Sequence, residues 1–223
     1  MERSLLLLIP TEFEWLSISE TLRYKLSGLA RVEFCGFGPI AAAASTTRLV
    51  MQGGFKEIYL LGIAGSYSSR LRLGQAYYFA QVGSYGIGIG SGQHHRSAFK
   101  LGWIPWDSLE LSYPSRFTTA IPLTSGFNTP LHLSPKLLSV CSAGVSTTDI
   151  AMCLEHHPDA EAEDMEGYAV ALACRQFSIQ PTIIRGISNS VGERDKNNWQ
   201  VAAAMNAAAG LFLANVASGE NAQ

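Results

Sequence analysis

The chain has 223 residues, 47% hydrophobic and 15% charged, and its 16 basic and 18 acidic side chains leave a formal net charge of −2. Such a length and apolar content suffice for one sizeable core and a single domain over 1–223. Scattered basic residues exclude the cationic stripe of a nucleic-acid binder, and Cys35, Cys141, Cys153 and Cys174, with no C-x-x-C pair, point to reduced thiols in a cytoplasmic protein rather than a disulfide framework.

The first apolar run, Leu5 to Ile9, is too short for a signal peptide and meets Glu12 and Glu14 at once. It reads as a central strand closed by Pro10. No segment offers the roughly 18 uninterrupted apolar residues of a membrane span, so no membrane partner is expected. Thr11 opens a helix carrying Trp15, Leu16, Ile18, Leu22 and Leu26 as its apolar stripe, with Glu14 at capping-box spacing. Arg31 to Phe34 reads as a strand, followed by a Gly36/Gly38 turn and an alanine-rich helix to about Met51. The glycines formally satisfy a dinucleotide fingerprint, but the required acid would be Glu57, at the start of the next strand instead of its end. A tight turn for helix–strand packing is the better account, and no cofactor is expected. Glu57 to Gly62 is a strand ending in a small-residue loop, Ile63 to Ser66, whose backbone can approach a flat ring.

Gln75 to Val82 is β-rich, and from His94 to about Pro130 the pattern is broken by Trp and Pro, as in a segment that covers a site or a subunit contact. The pairs His94-His95 and His156-His157 are adjacent residues whose side chains diverge, so no metal site is expected. Leu137 to Val145 reads as a strand, and the hydroxyls of Ser146 and Thr147 either face a ligand or cap the helix beginning near Asp149. Glu163, Asp164 and Glu166 sit at the mouth of an alanine-rich helix, where N–H groups and the helix dipole favour anions. Pro181 to Ile187 is a buried strand running into Ser188-Asn189, polar groups at the carboxyl end where ligands of open α/β sheets bind. A core-packing helix from Trp199 to about Ala217 ends the chain, and Ser218 to Gln223 should fray.

Glu-Asp-Met-Glu-Gly at 163–167, a helix, an apolar strand and Arg-Gly-Ile-Ser-Asn at 185–189 together resemble the nucleoside phosphorylase and nucleosidase superfamily. Within it, residues 185–199 look most like the futalosine hydrolases, which release hypoxanthine from futalosine on a menaquinone route. The resemblance implies an α/β, single-domain three-layer sandwich with a central mixed sheet flanked by helices, assembled as a homo-oligomer. It implies Glu14 as the base that activates water, with Thr11 beside it, although a capping role explains Glu14 equally well. Glu166 would accept the ribose 2′- and 3′-hydroxyls, Met165 would pack on the sugar, Asp164 stands where relatives often have Glu, and Ala64, Gly65 and Thr147 would line the nucleoside.

Adenine-cleaving relatives carry Asp after the strand's Ser, whereas this chain has Asn189, an amide that suits a 6-oxopurine better than a proton-demanding adenine. Asn189, Arg194 and Asp195 are all candidates for activating the departing base. Futalosine bears a carboxylate-carrying aromatic group in place of the 5′-hydroxyl, so a cation is required, its position open. Glu12 and Glu14 after the first strand would repel phosphate, which favours water as nucleophile. A purine nucleoside phosphorylase, a methylthioadenosine-type nucleosidase, a dinucleotide-dependent oxidoreductase and a non-catalytic nucleoside binder remain the alternatives.

Overall fold

The computed structural model describes residues 4–98, 100–103, 120–124 and 135–220. Its centre is the long strand β3 (Glu57–Ser66), against which β1 (Leu5–Ile9) pairs in parallel along the first half; β2 (Arg31–Phe34) extends the sheet beyond β1. On the opposite edge β11 (Thr182–Ser190) runs parallel to β3 from Tyr59 to Ser66, followed by antiparallel β4 (Ala76–Tyr78). The last two residues of β3 pair with antiparallel β10 (Ala160–Asp164). From there the sheet continues through β9 (Lys136–Val140) and β5 (Gln81–Tyr85) to β8 (Ala120–Pro122). A two-stranded ribbon, β6 (Gly88–Ile89) with β7 (Arg96–Ser97), stands apart.

Continuous apolar runs become central strands because both faces of the sheet are covered. Helices α3 (Gly38–Met51) and α5 (Gly167–Arg175) bury Leu6, Leu8, Leu60 and Ile183 on one face. Helix α6 (Val201–Glu220) packs Met205, Ala208 and Phe212 against Leu7, Tyr59, Leu61 and Ile184 on the other, with α1 (Glu12–Leu16) and α2 (Glu20–Leu29) beside it. Phe212 meets Tyr59 edge-on at 4.9 Å between ring centroids, a geometry worth about 1 kcal/mol beyond burial. By length and hydropathy α6 could cross a membrane, but its apolar stripe is the sheet's cover. Helix α4 (Thr147–His156) closes a smaller cluster around Leu138, Val140 and Ala160. The result is the expected three-layer α/β sandwich with a mixed sheet.

Several local expectations are corrected. The helix after Thr11 is two helices, because Ser19 N–H donates to Asn206 on α6 and pins a turn between them. Residues 63–66 are not a loop: β11 pairs with β3 to its end, and tertiary pairing overrides the small residues' weak strand preference. Residues 75–82 split into β4 and β5, which serve different partners. The strand at 137–145 stops at Val140. The last helix begins at Val201, after a 3-10 turn at Lys196–Asn198, and persists to Glu220. Most of the irregular 94–130 segment lies outside the described residues, as do 221–223 at the end expected to fray.

Candidate active site

The site originates in a gap. Strand β1 leaves the edge of β3 after Leu60, and β10 joins that edge only at Gly65, so residues 61–64 have no strand on that side. An unpaired backbone N–H there needs another acceptor. Glu14 provides it: its Oε1 accepts from Ile63 N–H at 3.0 Å while Oε2 accepts from the Thr11 hydroxyl at 2.6 Å. Thr11 also caps α1 by accepting from Glu14 N–H, so the capping explanation holds without excluding chemistry. The carboxylate itself is turned away from the helix and toward the gap.

The acidic run reaches the same place from the other end of the chain. Glu163 and Asp164 finish β10 and Glu166 occupies the N-cap position of α5, so the acidic run expected at a helix mouth begins in a strand and reaches that mouth at Glu166. Asp164 Oδ2 accepts from Gly167 N–H at 2.9 Å, and its Oδ1 from the Ser139 hydroxyl. Glu166 Oε1 accepts from Gly38 N–H at 2.9 Å. Thus the Gly36/Gly38 turn, both residues at positive φ, delivers a backbone donor to the site as well as a helix start.

Between these acids lies Arg185, 0% exposed, a residue whose role the sequence did not reveal. Its Nε donates to Asp164 at 2.9 Å, and Nη2 reaches both Asp164 and Glu166, the latter at 3.2 Å. Opposite it is Gly62. A Cβ on Gly62 would stand 1.8 Å from Arg185 Nη1 and 2.9 Å from Glu14 Oε1, so glycine makes room for the guanidinium and brings Glu14 close to it. Burial works against the charge on Arg185, and Asp164, Glu166 and Glu14 more than offset it. One cation cannot neutralise three carboxylates in a dry setting. Burial therefore raises Glu166, with Arg185 opposing and Asp164 and Glu14 adding to the rise. Cys35, behind the cluster, is pushed up to about 12 by burial and is an inert packing thiol.

At the base end, Asn189 and Gly65 are register partners on β11 and β3. The Ser188 hydroxyl lies 2.7 Å from Asn189 Oδ1 and 3.3 Å from Ala64 carbonyl, and Asn189 Nδ2 donates to Ser190 carbonyl at 2.8 Å. These contacts fix the amide's orientation and leave a second Nδ2 hydrogen for a ligand. Glu163 is the register partner of Gly65 on its other side. Its carboxylate accepts from Tyr67 hydroxyl and from Gly144 N–H at 3.2 Å, and burial raises its pKa. Met165 packs into the cluster of Leu138 and Val140.

The structure thus brings Thr11, Glu14, Asp164 and Glu166 around Arg185, and Ala64, Gly65 and Asn189 beside them. Other candidates stand outside that group. Thr147 is an exposed first residue of α4, whose N-cap is Ser146, reciprocally bonded to Asp149. Arg194 is exposed, with its guanidinium 5.8 Å over the Trp199 ring. Asp195 is exposed and accepts from Asn197 N–H at 3.0 Å. Of the two features missed, Arg185 and Gly62, the first had one legible signal: a cation in the middle of an apolar strand demands buried acids.

This fold is that of the nucleoside phosphorylase and nucleosidase class: a Helicobacter pylori 5′-methylthioadenosine/S-adenosylhomocysteine nucleosidase with 5′-methylthioadenosine in its active site superposes with a TM-score of 0.74 at 14% identity, covering 98% of this chain and 100% of that one. Among relatives by sequence, the futalosine hydrolase of Thermus thermophilus is 27% identical over 78% of this chain and 75% of its own length. The aminodeoxyfutalosine nucleosidase of Campylobacter jejuni is 23% identical over 70% of this chain and 66% of its own. No protein-family model matches the chain. The chain is accordingly a homologue of futalosine hydrolases and nucleosidases.

Proposed function

We propose that the protein is a purine nucleoside N-ribosyl hydrolase acting on futalosine and releasing hypoxanthine. The observation that carries this reading is the convergence of Glu14 and Glu166, from opposite ends of the chain, on Arg185 at the gap in the β3 edge. In the proposed reaction Glu166 accepts hydrogen bonds from the ribose diol, with Met165 against the sugar. Glu14 takes a proton from a water molecule as that water's oxygen bonds to C1′. The C1′–N9 bond breaks, its electron pair leaves with the base, and Asn189 donates a hydrogen bond to the 6-oxopurine as negative charge develops there; the base anion then takes a proton from solvent and Glu14 returns its own to solvent. Arg185 is a positioning residue that keeps the acids apart in a fixed geometry.

A base of the hypoxanthine type fits the amide at 189, which donates and accepts but supplies no proton. Adenine as leaving group would ask more of that position, and the methylthioadenosine nucleosidase reading is the one to compare directly. We further propose a cytoplasmic, homo-oligomeric protein without a cofactor.

Incubation with futalosine, inosine and methylthioadenosine, with and without phosphate, tests the assignment. Free hypoxanthine should form from futalosine at a rate that added phosphate does not change; obligatory phosphate would make the protein a phosphorylase, and preferred adenine release would transfer it to the other nucleosidases. Glu14→Gln should lower kcat about 10²–10⁴-fold, the usual span for a general base, while circular dichroism and melting temperature stay close to wild type.

A further inference from the structure

The histidine pairs, set aside as divergent on sequence, do meet. Tyr85, the last residue of β5, has the His95, His156 and His157 rings at 5.0, 5.7 and 6.3 Å, and His95 lies 5.6 Å from His156. Beside this stack opens a cleft of about 570 Å³, lined among others by His94, His95, Arg96, Lys100, Glu155 and His156. Arg96 and Lys100 are exposed and have no ion pair among the described residues, of which Glu155 is the one acid lining the cleft. His95 Nε2 is buried with no hydrogen-bond partner among the described residues. No set of three or more ligands in metal geometry occurs there among the described residues. Two cations, imidazole donors and the apolar side chains of Leu101 and Met152 are what a carboxylate or phosphate on a flat, apolar carrier requires.

Sheet register and one apolar cluster relate the cleft to the site. Ser84, Ser139 and Asp164 are register neighbours across β5, β9 and β10, so Tyr85 is two strand spacings, about 10 Å, from Met165. Tyr85 and Met165 pack on one apolar cluster. We propose that this cleft is the subsite for the acidic 5′ arm of the nucleoside, with Arg96 and Lys100 as its counter-charges and His95 as a donor. The proposal rests on the nucleosidase reading, because that reading seats the ribose at Met165.

The double variant Arg96→Ala/Lys100→Ala removes two exposed side chains and leaves the Arg185 cluster untouched. With futalosine, whose arm is a carboxylate, kcat/KM should fall at least tenfold, mostly through KM; with inosine, whose 5′ group is a neutral hydroxyl, it should stay within twofold. Free benzoate should inhibit wild-type futalosine turnover competitively and lose that effect in the variant. Equal losses on both substrates, no loss on either, or benzoate binding that leaves turnover unchanged would overturn the subsite. If the wild type releases base from neither nucleoside, the hydrolase reading fails separately. Calorimetric binding of futalosine against inosine then decides the cleft: weakening confined to futalosine in the variant supports it, and identical binding by both proteins rejects it.

Discussion

Asp164, at the near side of the Arg185 pocket, stands two strand spacings from β5 and the Tyr85 cleft, yet the two regions handle charge in opposite ways. In the pocket every formal charge is buried and held by named partners; in the cleft the cations are exposed and unpaired among the described residues. A buried network fixes positions to fractions of an ångström because any displacement leaves a charge unsatisfied. An open cluster tolerates rearrangement and selects by charge alone. The difference matches the proposed division, with bond cleavage in the pocket and recognition of a variable substituent in the cleft.

The contrast breaks most visibly at Arg185. Arg185→Met leaves Asp164 and Glu166 buried without their cation and should lower the unfolding free energy by about 3–5 kcal/mol, read from urea denaturation, with hydrolysis lost. A comparable truncation in the cleft, Arg96→Ala, should stay within about 0.5 kcal/mol. Equal costs at the two sites would mean that the pocket is not the rigid one.

Gly62→Ala sharpens the same point with one methyl group. Arg185 is the far end of a flexible side chain, but its ion pairs leave it nowhere to go when a Cβ arrives 1.8 Å away. A loss of about 1–3 kcal/mol, typical of overpacking, is expected together with at least a tenfold fall in kcat. Retention of both wild-type values would show that the guanidinium moves freely.

The two regions should also respond to pH with opposite signs. Glu166 has a folded-state pKa raised above 4.5 by burial, so its contribution favours the folded state in acid and is lost as pH rises from 4.5 through the raised value. His157, under the Tyr85 ring, is lowered from 6.5 to about 4 by burial and then by Lys136. The unfolded chain binds that proton first, so the stability His157 supplies is present above pH 6.5 and declines as pH falls toward 4. His157→Gln should flatten the acid side of the stability profile by about 1–2 kcal/mol once partial exposure is allowed for. An unchanged acid slope would place the titration elsewhere.

How far each region could be read from sequence follows from how each is built. Glu166, Met165 and Asn189 lie in short segments whose chemistry is local, so the sequence alone suffices to name them as candidates. Arg185 was read as part of an apolar strand, because sequence does not say which face of β11 fronts Asp164. The gap that turns Glu14 outward depends on where β1 and β10 leave β3, a fact about three strands at once. The histidine cleft joins residues about 60 positions apart through the packing of α4 on β5, and adjacent side chains that diverge locally can each converge with a distant partner.

Asp195 supplies the smallest and most discriminating effect. It was a candidate for activating the base, yet it is exposed and its visible task is to hold Asn197 N–H at the start of a 3-10 turn. Capping of this kind is worth about 0.5–1 kcal/mol, so Asp195→Ala should melt slightly earlier and keep kcat on futalosine within about twofold. Asn189→Ala should instead lower kcat with little change in KM, since its amide meets negative charge that develops only as the base departs. If Asp195→Ala proves the more damaging of the two, the residues after β11 must fold over the base when substrate binds, and leaving-group activation would shift from the rigid end of the strand to its exposed continuation.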